Sequence, residues 1–309
     1  MDTIDKTVKQ IKNLQIQGAS KIREKAVDSL VKTSTSSRAK SPAQFRKEFL
    51  SNSKKLFEAR PTEPALRTAL RIFKKSISHN HLNVEQMKKA IKQTDVMYDK
   101  EREVSLKKMS KYGAQLIKRN SVILTLCHSH SVIDVLIKAK NKIDQVYCCE
   151  TRPLYQGRQT AKDLAEVGID VTLLVDNAAS TIMKECDYFF TGADAFLGDG
   201  DIVNKIGTNQ ISTLCKRYEV PHYAVCSTHK FEPSSFFGKD EPIEQRNFHE
   251  VLSRKIKGIK VMNPAFDRTD SSLIGGIVCE KGVFPPEVLA SKLYDKLNLD
   301  KHETDFLKL

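Results

Sequence analysis

Two residues that can move protons, Cys127 and Asp194, each follow a short apolar segment of the sequence. Cys127 comes directly after SVILTL (121–126), and Asp194 comes directly after DYFFTGA (187–193). A partly exposed thiol whose pKa is lowered by a helix N-terminus or a cation can act as a nucleophile or an acid–base group. A partly desolvated carboxylate can act as a general acid or base. The alternatives are a buried core thiol for Cys127 and an N-cap of the following element for Asp194.

Cationic and amide side chains occupy comparable positions elsewhere in the sequence. Arg152 and Arg158 lie in ETRPLYQGRQT, and Asn204 and Lys205 directly precede Ile-Gly-Thr. The planar guanidinium group matches the oxygens of a phosphate. A lysine and an amide beside a helix N-terminus suit an anion and a hydroxyl group. These four residues therefore favour a site for a small phosphorylated ligand.

Histidines near the same segments do not form a metal-binding pattern. His128, His130 and His229 follow apolar segments, but the sequence has no HExxH motif and no carboxylate at a fitting spacing. The glycines form neither GxGxxG nor a Walker lysine loop, so the sequence carries no nucleotide fingerprint. No metal and no cofactor are therefore expected.

Short apolar segments rich in β-branched and aromatic residues predict the strands that position these groups. The segments are SVILTL (121–126), QVYCCE (145–150), DVTLLV (170–175), DYFFTGA (187–193), HYAVC (222–226) and IGGIVCE (274–280). Amphipathic helical stretches lie between them, which is the pattern of a parallel sheet covered on both faces. Ligands bind at the carboxyl ends of such strands. The residues that follow these segments should therefore meet at one edge of the sheet.

The first third of the chain predicts helices alone. Apolar residues recur at three- and four-residue spacing over residues 3–31, 45–57, 65–76 and 83–118. We therefore expect an α/β protein in which a helical N-terminal domain, residues 1–117, precedes a Rossmann-like parallel-sheet domain, residues 118–309. In the helical domain, Gly18 and Ala19 precede a helix and could offer backbone N–H groups to a phosphate. Arg60, in RPT (60–62), fits a phosphate contact and a simple helix start equally well.

The positive charge of the protein belongs to the helical domain. Residues 1–117 contain 26 Lys and Arg against 12 Asp and Glu, whereas residues 118–309 contain 25 against 26. Such a surface attracts nucleic acid or phosphorylated substrates, or it is simply a solvated helical face. Few aromatic residues lie among the basic ones, so nucleic-acid binding by base stacking is not expected.

The sequence predicts a cytoplasmic protein without a membrane partner. No apolar run approaches the ~20 residues that a membrane span needs. The N-terminus lacks the apolar core of a signal peptide. The seven cysteines are scattered and form no CxxC pair, which is typical of reduced thiols.

Eight segments together resemble one superfamily. They are GAS (18–20), RPT (60–62), TLCHSHSVIDVL (125–136), ETRPLYQGRQTAKDLAEVGI (150–169), TGADAF (191–196), DGDIVNKIGTNQIS (199–212), STHKFEP (227–233) and NPAFDRTD (263–270). The superfamily contains ribose-1,5-bisphosphate isomerases, methylthioribose-1-phosphate isomerases and the α, β and δ regulatory subunits of translation initiation factor 2B. The segments span nearly the whole chain in the family order. The ETRP and NPAFD versions look most like the archaeal ribose-1,5-bisphosphate isomerases.

The resemblance implies an isomerase that converts α-D-ribose 1,5-bisphosphate to ribulose 1,5-bisphosphate in the degradation of AMP. Cys127 and Asp194 match the catalytic cysteine and aspartate of the isomerases, a pair that the regulatory subunits typically lack. The resemblance also implies a homo-oligomer, either a dimer or a hexameric assembly of dimers. The substrate contacts that it implies come from Gly18, Ala19, Arg60, Arg152, Arg158, Asn204 and Lys205.

Two departures from the family pattern and two rival functions stay open. Gln17 stands where Arg often precedes Gly-Ala, and Leu126 stands where a polar residue is common. These departures bear on phosphate binding and on activation of the cysteine. One rival is a methylthioribose-1-phosphate isomerase, which uses the same pair but needs an apolar pocket for its methylthio group. The other rival is a non-enzymatic regulatory subunit of the initiation factor 2B type.

Overall fold

The computed structural model describes residues 3–13, 15–16, 18–61 and 63–297 of the chain. The described residues form two compact units, 3–103 and 104–297, and the long helix α5 (Val84–Leu116) supplies residues to both. The sequence places a domain division after residue 117, where helices give way to strands, and that division stays a prediction.

The first unit consists of helices that share one apolar core. They are α1 (Thr3–Lys12), α2 (Ala19–Thr35), α3 (Pro42–Ala59), α4 (Pro64–Ser76) and the first part of α5. Phe45, Phe49 and Phe73 lie buried in this core. The stretch read as helical over residues 3–31 is two helices, and Gly18, with a φ of 82°, directly precedes the second one.

The second unit is built on a seven-stranded sheet. Its strands are β1 (Ser121–Leu126), β2 (Ile143–Cys149), β3 (Val171–Leu174), β4 (Tyr188–Gly192), β7 (His222–Val225), β10 (Gly276–Cys279) and β11 (Gly282–Phe284). Their order is β11-β10-β7-β4-β1-β2-β3, and every neighbouring pair is parallel except β10 and β11. Each predicted segment overlaps a strand of this sheet, although β2 begins two residues before QVYCCE, and the predicted parallel sheet is confirmed. The short hairpin strand β11 was missed.

Helices cover both faces of this sheet. They are α6 (His130–Lys138), α7 (Gln156–Glu166), α8 (Ala179–Ile182), α9 (Thr208–Arg217) and α10 (Pro286–Leu297). Ile123 packs in a core with Leu136 of α6, whereas the next residue, Leu124, packs in a different core with Ile211 of α9. Successive residues of a strand point to opposite faces. Both faces are apolar, which explains why the strand segments read as continuous apolar runs.

A second, four-stranded sheet was not predicted from the sequence. Its strands, in spatial order, are β8 (Phe231–Glu232), β5 (Ala195–Leu197), β6 (Ile202–Lys205) and β9 (Phe266–Thr269). Strands this short contain too few residues for a two-residue period to be recognised. Asn204 and Lys205 therefore lie at the end of a strand, although the helix expected after them does begin at Thr208.

An ion-pair network fixes the DGD turn between β5 and β6. Arg268 on β9 pairs with Asp199, with Asp201 at 2.6 Å and with Asp240 at 3.3 Å. Asp201 also accepts the backbone N–H of Ser271 at 2.9 Å. Asp199 and Asp201 are thus turn residues among glycines, and salt bridges to Arg268 stabilise the small sheet in addition to its backbone hydrogen bonds.

Candidate active site

The turn after β1 holds Cys127 in an unusual backbone conformation. Its φ is 69°, in the left-handed region, which costs a residue other than glycine roughly 1–2 kcal/mol. The backbone N–H of Cys127 donates to Thr151 Oγ1 at 2.8 Å, and its carbonyl accepts from Thr160 Oγ1 at 2.7 Å. Cys127 is partly exposed, whereas the other six cysteines are buried. The core-thiol interpretation therefore fits those six, whereas Cys127 packs against an apolar core and keeps part of its surface exposed.

The pKa of the Cys127 thiol lies above its ordinary value, chiefly because burial disfavours the thiolate. The ammonium group of Lys205 and the backbone N–H of His128 oppose this rise, whereas the charges of Asp194 and Asp176 add to it. This direction is opposite to the lowered pKa that favours an acid–base thiol, because desolvation outweighs the cation and the N–H group. The same influences indicate that Lys205 and Asp194 lie within electrostatic range of the sulfur.

Asp194 lies between β4 and β5 and is half-buried. Its backbone N–H donates to the carbonyl of Val203 at 2.8 Å. Among the residues that the structure describes, its carboxylate has no hydrogen-bond or ion-pair partner. A strand rather than a helix follows it, and the carboxylate caps nothing, so the N-cap alternative is wrong. The Nζ of Lys230 donates to the neighbouring carbonyl of Ala193 at 2.5 Å, which brings a second cation beside this turn.

Asn204 and Lys205 reach the same edge from the end of β6. The Asn204 side chain is buried and its amide donates to Thr208 Oγ1 at 2.9 Å. Thr208 in turn donates to the carbonyl of Lys205 at 2.6 Å. The Lys205 ammonium lies 5.2 Å from the ring centre of Phe266, which suits a cation–π contact. Lys205 thus lies within electrostatic range of the thiol, and it forms no ion pair with a carboxylate of the described residues.

Asp267 on β9 holds the turn between β6 and α9. One of its oxygens accepts the backbone N–H groups of Gly207 at 2.7 Å and Asn209 at 3.2 Å. Gly207 has a φ of 100°, a conformation that glycine adopts without strain. Burial raises the pKa of Asp267 to about 6, and the backbone N–H groups partly offset the rise. The carboxylate therefore fixes the loop that carries Lys205.

Two guanidinium groups flank the ring of Tyr155 at the start of α7. Those of Arg152 and Arg158 lie 5.1 Å and 3.8 Å from the ring centre. Arg152 donates to the hydroxyl of Tyr155 at 2.7 Å, and Arg158 pairs with Glu150 at 2.7 Å. The Arg158 side chain is nevertheless 54% exposed. The two arginines therefore share one aromatic support and keep donors available to an anion.

Helix α7 approaches β2 so closely that its second residue has to be glycine. A Cβ on Gly157 would lie 1.7 Å from the carbonyl oxygen of Cys149. Asp176, which follows β3, accepts the backbone N–H groups of Thr151 and Arg152, each at 2.7 Å. The strand-to-helix turn that carries the arginines is therefore fixed from both sides.

The three remaining predicted contacts belong to the helical unit. Gly18 and Ala19 begin α2, where the carbonyl of Gly18 accepts the N–H of Ile22 at 3.0 Å. Arg60 ends α3, and its backbone N–H donates to Phe57 at 3.1 Å. The simple helix start considered for Arg60 is therefore wrong, because α4 begins only at Pro64. Gln17 and Thr62 lie outside the described residues, and ligand binding by Gly18, Ala19 and Arg60 stays a prediction.

Besides Asp267, three further side chains near the site, Gln156, Asp176 and Lys230, were not selected from the sequence. The Oε1 atom of Gln156 is buried and has no partner within the described ranges, which leaves it available to a ligand. Asp176 and Lys230 act through the backbone contacts given above. Both follow predicted strands, and that position was the signal for them. Nothing in the sequence distinguishes Gln156 from an ordinary residue in a first helical turn.

The histidines of this region contact one another and the protein. The rings of His128 and His130 meet edge to face at 4.9 Å, and His128 Nδ1 lies 3.1 Å from Thr160 Oγ1. In the part of the chain that the structure describes, no three His, Cys, Asp or Glu side chains form a cluster suited to a metal ion. Among these residues, no helix is long and apolar enough to span a membrane.

A parallel sheet covered by helices, with polar residues gathered at the carboxyl ends of its strands, defines a Rossmann-like α/β protein with a helical N-terminal part. Residues 15–286 match the Initiation factor 2 subunit family, and the chain belongs to this family.

Relatives of known function and structure cover nearly the whole chain. A ribose 1,5-bisphosphate isomerase of Methanocaldococcus jannaschii is 36% identical over 93% of this chain and 93% of its own length. The crystal structure of 5-methylthioribose 1-phosphate isomerase from Pyrococcus horikoshii has a TM-score of 0.79 and 30% identity, over 95% of this chain and 88% of that one. The translation initiation factor eIF-2B of the same organism has a TM-score of 0.80 and 21% identity, over 94% and 99%. This last similarity supports the fold alone.

Proposed function

We propose that the protein is an isomerase that converts α-D-ribose 1,5-bisphosphate to ribulose 1,5-bisphosphate, with Cys127 and Asp194 as its acid–base pair. The observation that carries the proposal is that Cys127 and Asp194 both follow strands at one edge of the sheet, with Asp194 and Lys205 each within electrostatic range of the Cys127 sulfur. The similarity to a ribose 1,5-bisphosphate isomerase over nearly the whole chain supports the same substrate.

The substrate determines which protons have to move. Its anomeric oxygen carries a phosphate, so the furanose ring does not open as a free sugar does. A base removes the proton from C2, an acid protonates the ring oxygen, and the C1–O bond of the ring breaks. The product of this step is an enol phosphate with a double bond between C1 and C2. Loss of the proton from the C2 hydroxyl and protonation of C1 then give the ketone.

We assign the carbon-bound proton to Cys127 and the oxygen-bound protons to Asp194. Cys127 takes the proton from C2 and returns it to C1, which leaves the thiolate unchanged at the end of the cycle. Asp194 protonates the ring oxygen and accepts the proton of the C2 hydroxyl. Burial raises the pKa of Cys127 and so favours the neutral thiol, so the thiol proton has to pass to the Asp194 carboxylate, the acid of the first step, before Cys127 takes the proton from C2. Lys205 and the N–H of His128 favour the thiolate that the first step needs.

The anionic groups of the substrate need cations close to the reacting carbons. Arg152 and Arg158 at the start of α7 are the proposed phosphate contacts, and their shared packing on Tyr155 reduces the entropy lost on binding. Asn204 is the proposed partner of a sugar hydroxyl. Gly18, Ala19 and Arg60 of the helical unit are further proposed phosphate contacts.

The test is incubation of the protein with ribose 1,5-bisphosphate and, separately, with methylthioribose 1-phosphate, with the products identified by NMR. Ribulose 1,5-bisphosphate should form from the first compound, and the Cys127→Ser variant is the control. Conversion of methylthioribose 1-phosphate alone would instead establish the second isomerase activity, which the 30% identity to that enzyme favours. Conversion of neither compound would contradict the proposed isomerase activity and favour the non-enzymatic regulatory-subunit function.

We also propose that the protein acts as a cytoplasmic homo-oligomer built on at least a dimer. Light scattering of the full chain at tens of micromolar protein should give a mass at least twice the 34.9 kDa of one chain. A monomer under these conditions would contradict this proposal and leave the isomerase activity untouched.

A further inference from the structure

We infer, building on the proposed function, that Thr151 and Thr160 are positioning residues that hold the Cys127 peptide from both sides and thereby place its thiol. Both threonines belong to ETRPLYQGRQT, the segment in which the arginines suggest phosphate binding. The same segment thus serves the cysteine as well as the anion.

Thr151 fixes the amino side of Cys127. Its side-chain oxygen accepts the Cys127 N–H at 2.8 Å, and its own hydrogen goes to the carbonyl of Cys149 at 3.1 Å. Thr151 is 1% exposed, so no water competes for either contact. The hydroxyl has one hydrogen to give, and that hydrogen is used on Cys149. The lone pair that faces Cys127 is therefore held in a single orientation.

Thr160 fixes the carbonyl side of Cys127 from within α7. It donates to the Cys127 carbonyl at 2.7 Å and is also 1% exposed. Because its only hydrogen goes to this carbonyl, His128 Nδ1, 3.1 Å away, has to be the donor in its contact with Thr160. The ring proton of a neutral His128 therefore lies on Nδ1. Thr160 thus orders both Cys127 and the residue after it.

The hydrogen bonds of the Cys127 peptide with Thr151 and Thr160 together form a clamp. This clamp matters because the backbone conformation of Cys127 that it holds is strained. A residue other than glycine keeps a φ near 69° only where its surroundings determine it completely. The backbone N–H of His128, the next residue, lowers the pKa of the Cys127 thiol and so acts on its sulfur. Rotation of the Cys127 peptide would move the sulfur and this N–H group together. A displacement of about 1 Å can cost as much as ~100-fold in rate.

The first test compares Thr160→Val with Thr160→Ser and Thr125→Val. Valine keeps the shape of threonine and removes its hydroxyl, and serine keeps the hydroxyl. Thr125 is the matched control, because it is buried in β1 and donates to the carbonyl of Phe190 at 2.9 Å without touching Cys127. Thr160→Val should lower kcat about tenfold, the rate equivalent of one hydrogen bond, with KM changed less than about twofold. The other two variants should keep kcat near the wild-type value.

The second test measures the reactivity of the Cys127 thiol in the absence of substrate. Alkylation of Cys127 by iodoacetamide is followed against pH by mass spectrometry, which its partial exposure among six buried cysteines makes selective. The profile of Thr160→Val should shift to higher pH, because the His128 N–H is no longer held against the sulfur. Thr125→Val should not shift. If Thr160→Val fails to fold, Thr151→Val takes its place with the same expectation.

An unchanged alkylation profile together with an unchanged kcat in the valine variants would overturn the clamp. So would equal losses of kcat in Thr160→Val and Thr125→Val that follow their losses of Tm. The two proposals fail separately. A wild-type protein without isomerase activity whose alkylation profile still responds to Thr160→Val refutes the function and keeps the clamp. An active wild type, an inactive Cys127→Ser variant and an alkylation profile that Thr160→Val leaves unaltered would keep the proposed function and refute the clamp.

Discussion

The two turns that carry the candidate acid–base pair are built differently. The Cys127 turn is strained, and its peptide is held by Thr151 and Thr160. The Asp194 turn is anchored through its backbone, and its carboxylate has no polar partner among the described residues. The structure therefore fixes the peptide of Cys127 from both sides, whereas no polar contact among the described residues fixes the Asp194 carboxylate, which under the proposed function meets the ligand. This difference suits a thiol that has to reach one carbon-bound proton and a carboxylate that serves two oxygens.

Removing the Cys127 thiol or the Asp194 carboxylate should have the largest effect on the activity. Cys127→Ser and Asp194→Asn should each lower kcat by ~10²–10⁴-fold, the usual contribution of a general acid or base. Both variants should still bind the substrate, because neither removes a proposed phosphate contact. Steady-state kinetics, substrate binding by calorimetry and Tm are the measurements. An inactive Asp194→Asn protein that also melts far earlier than the wild type would show a structural part for this carboxylate instead.

The pH dependence of the residual kcat/KM of Asp194→Asn assigns the two proton transfers, because the wild-type reaction needs one group protonated and the other deprotonated and gives the same profile for either assignment. The pKa of Cys127 is raised by burial. If its thiolate is the base, kcat/KM of this variant should climb about tenfold per pH unit below that pKa. If the thiol is instead the acid, kcat/KM should stay level and fall only above that pKa. The profile is measured from pH 6 upward within the range in which Tm is constant, since unfolding would imitate the second outcome.

Loss of an arginine should weaken binding without changing the acid–base pair. Arg158→Ala removes a charge-assisted contact of about 1.5–3 kcal/mol, so KM for the bisphosphate should rise tenfold or more while kcat changes little. The matched control is Arg254→Ala, an exposed arginine of the same unit. An equal change in KM for both variants would point to the overall field of the protein rather than to a specific phosphate contact.

The smallest effect concerns His222 of β7, which contacts β4, the strand that precedes Asp194. His222 is buried between Thr191 and Ser212, with Nε2 2.8 Å from one hydroxyl and Nδ1 3.0 Å from the other. Desolvation lowers the pKa of His222 to about 3. A lowered folded-state pKa means that the free energy of unfolding is at its full value above pH 6.5 and is lost as the pH falls toward 3.

The slope from this one group is at most about 1.4 kcal/mol per pH unit. Urea unfolding between pH 4 and pH 7 measures it, and His222→Gln should flatten the curve because glutamine does not titrate. Asp267 works in the opposite direction, since its raised pKa favours the folded state at low pH. Equal slopes for wild type and His222→Gln would show that other groups control the acid sensitivity.

The parallel sheet was predictable because burial on both faces leaves a strong mark on the sequence. Strands such as β1 read as apolar runs with β-branched residues, and their order along the chain places Cys127 and Asp194 at one edge. The small sheet left no such mark, because β5, β6, β8 and β9 are only two to four residues long. Its pairing depends on residues far apart in the chain.

The direction of the Cys127 pKa shift could also not be predicted from the sequence. The position of Cys127 before a helix predicted a lowered pKa, yet desolvation reverses the sign. Desolvation depends on what packs around a group, and no residue type or spacing records it. The two threonines that hold Cys127 lie 24 and 33 residues further along the chain, and only the close approach of α7 to β2 brings them there.

The small sheet has a consequence for how the molecule acquires activity as it folds. In the main sheet, β1 pairs with β2 across a connection of one helix, whereas in the small sheet Ile202 pairs with Thr269. Closing the longer loop costs more chain entropy before its contacts form. We therefore expect the β6–β9 ladder, with Lys205 at its end, to assemble after the β1–β2 core. Refolding followed by hydrogen exchange should find protection at β1 before β6, and catalytic competence should follow the later event.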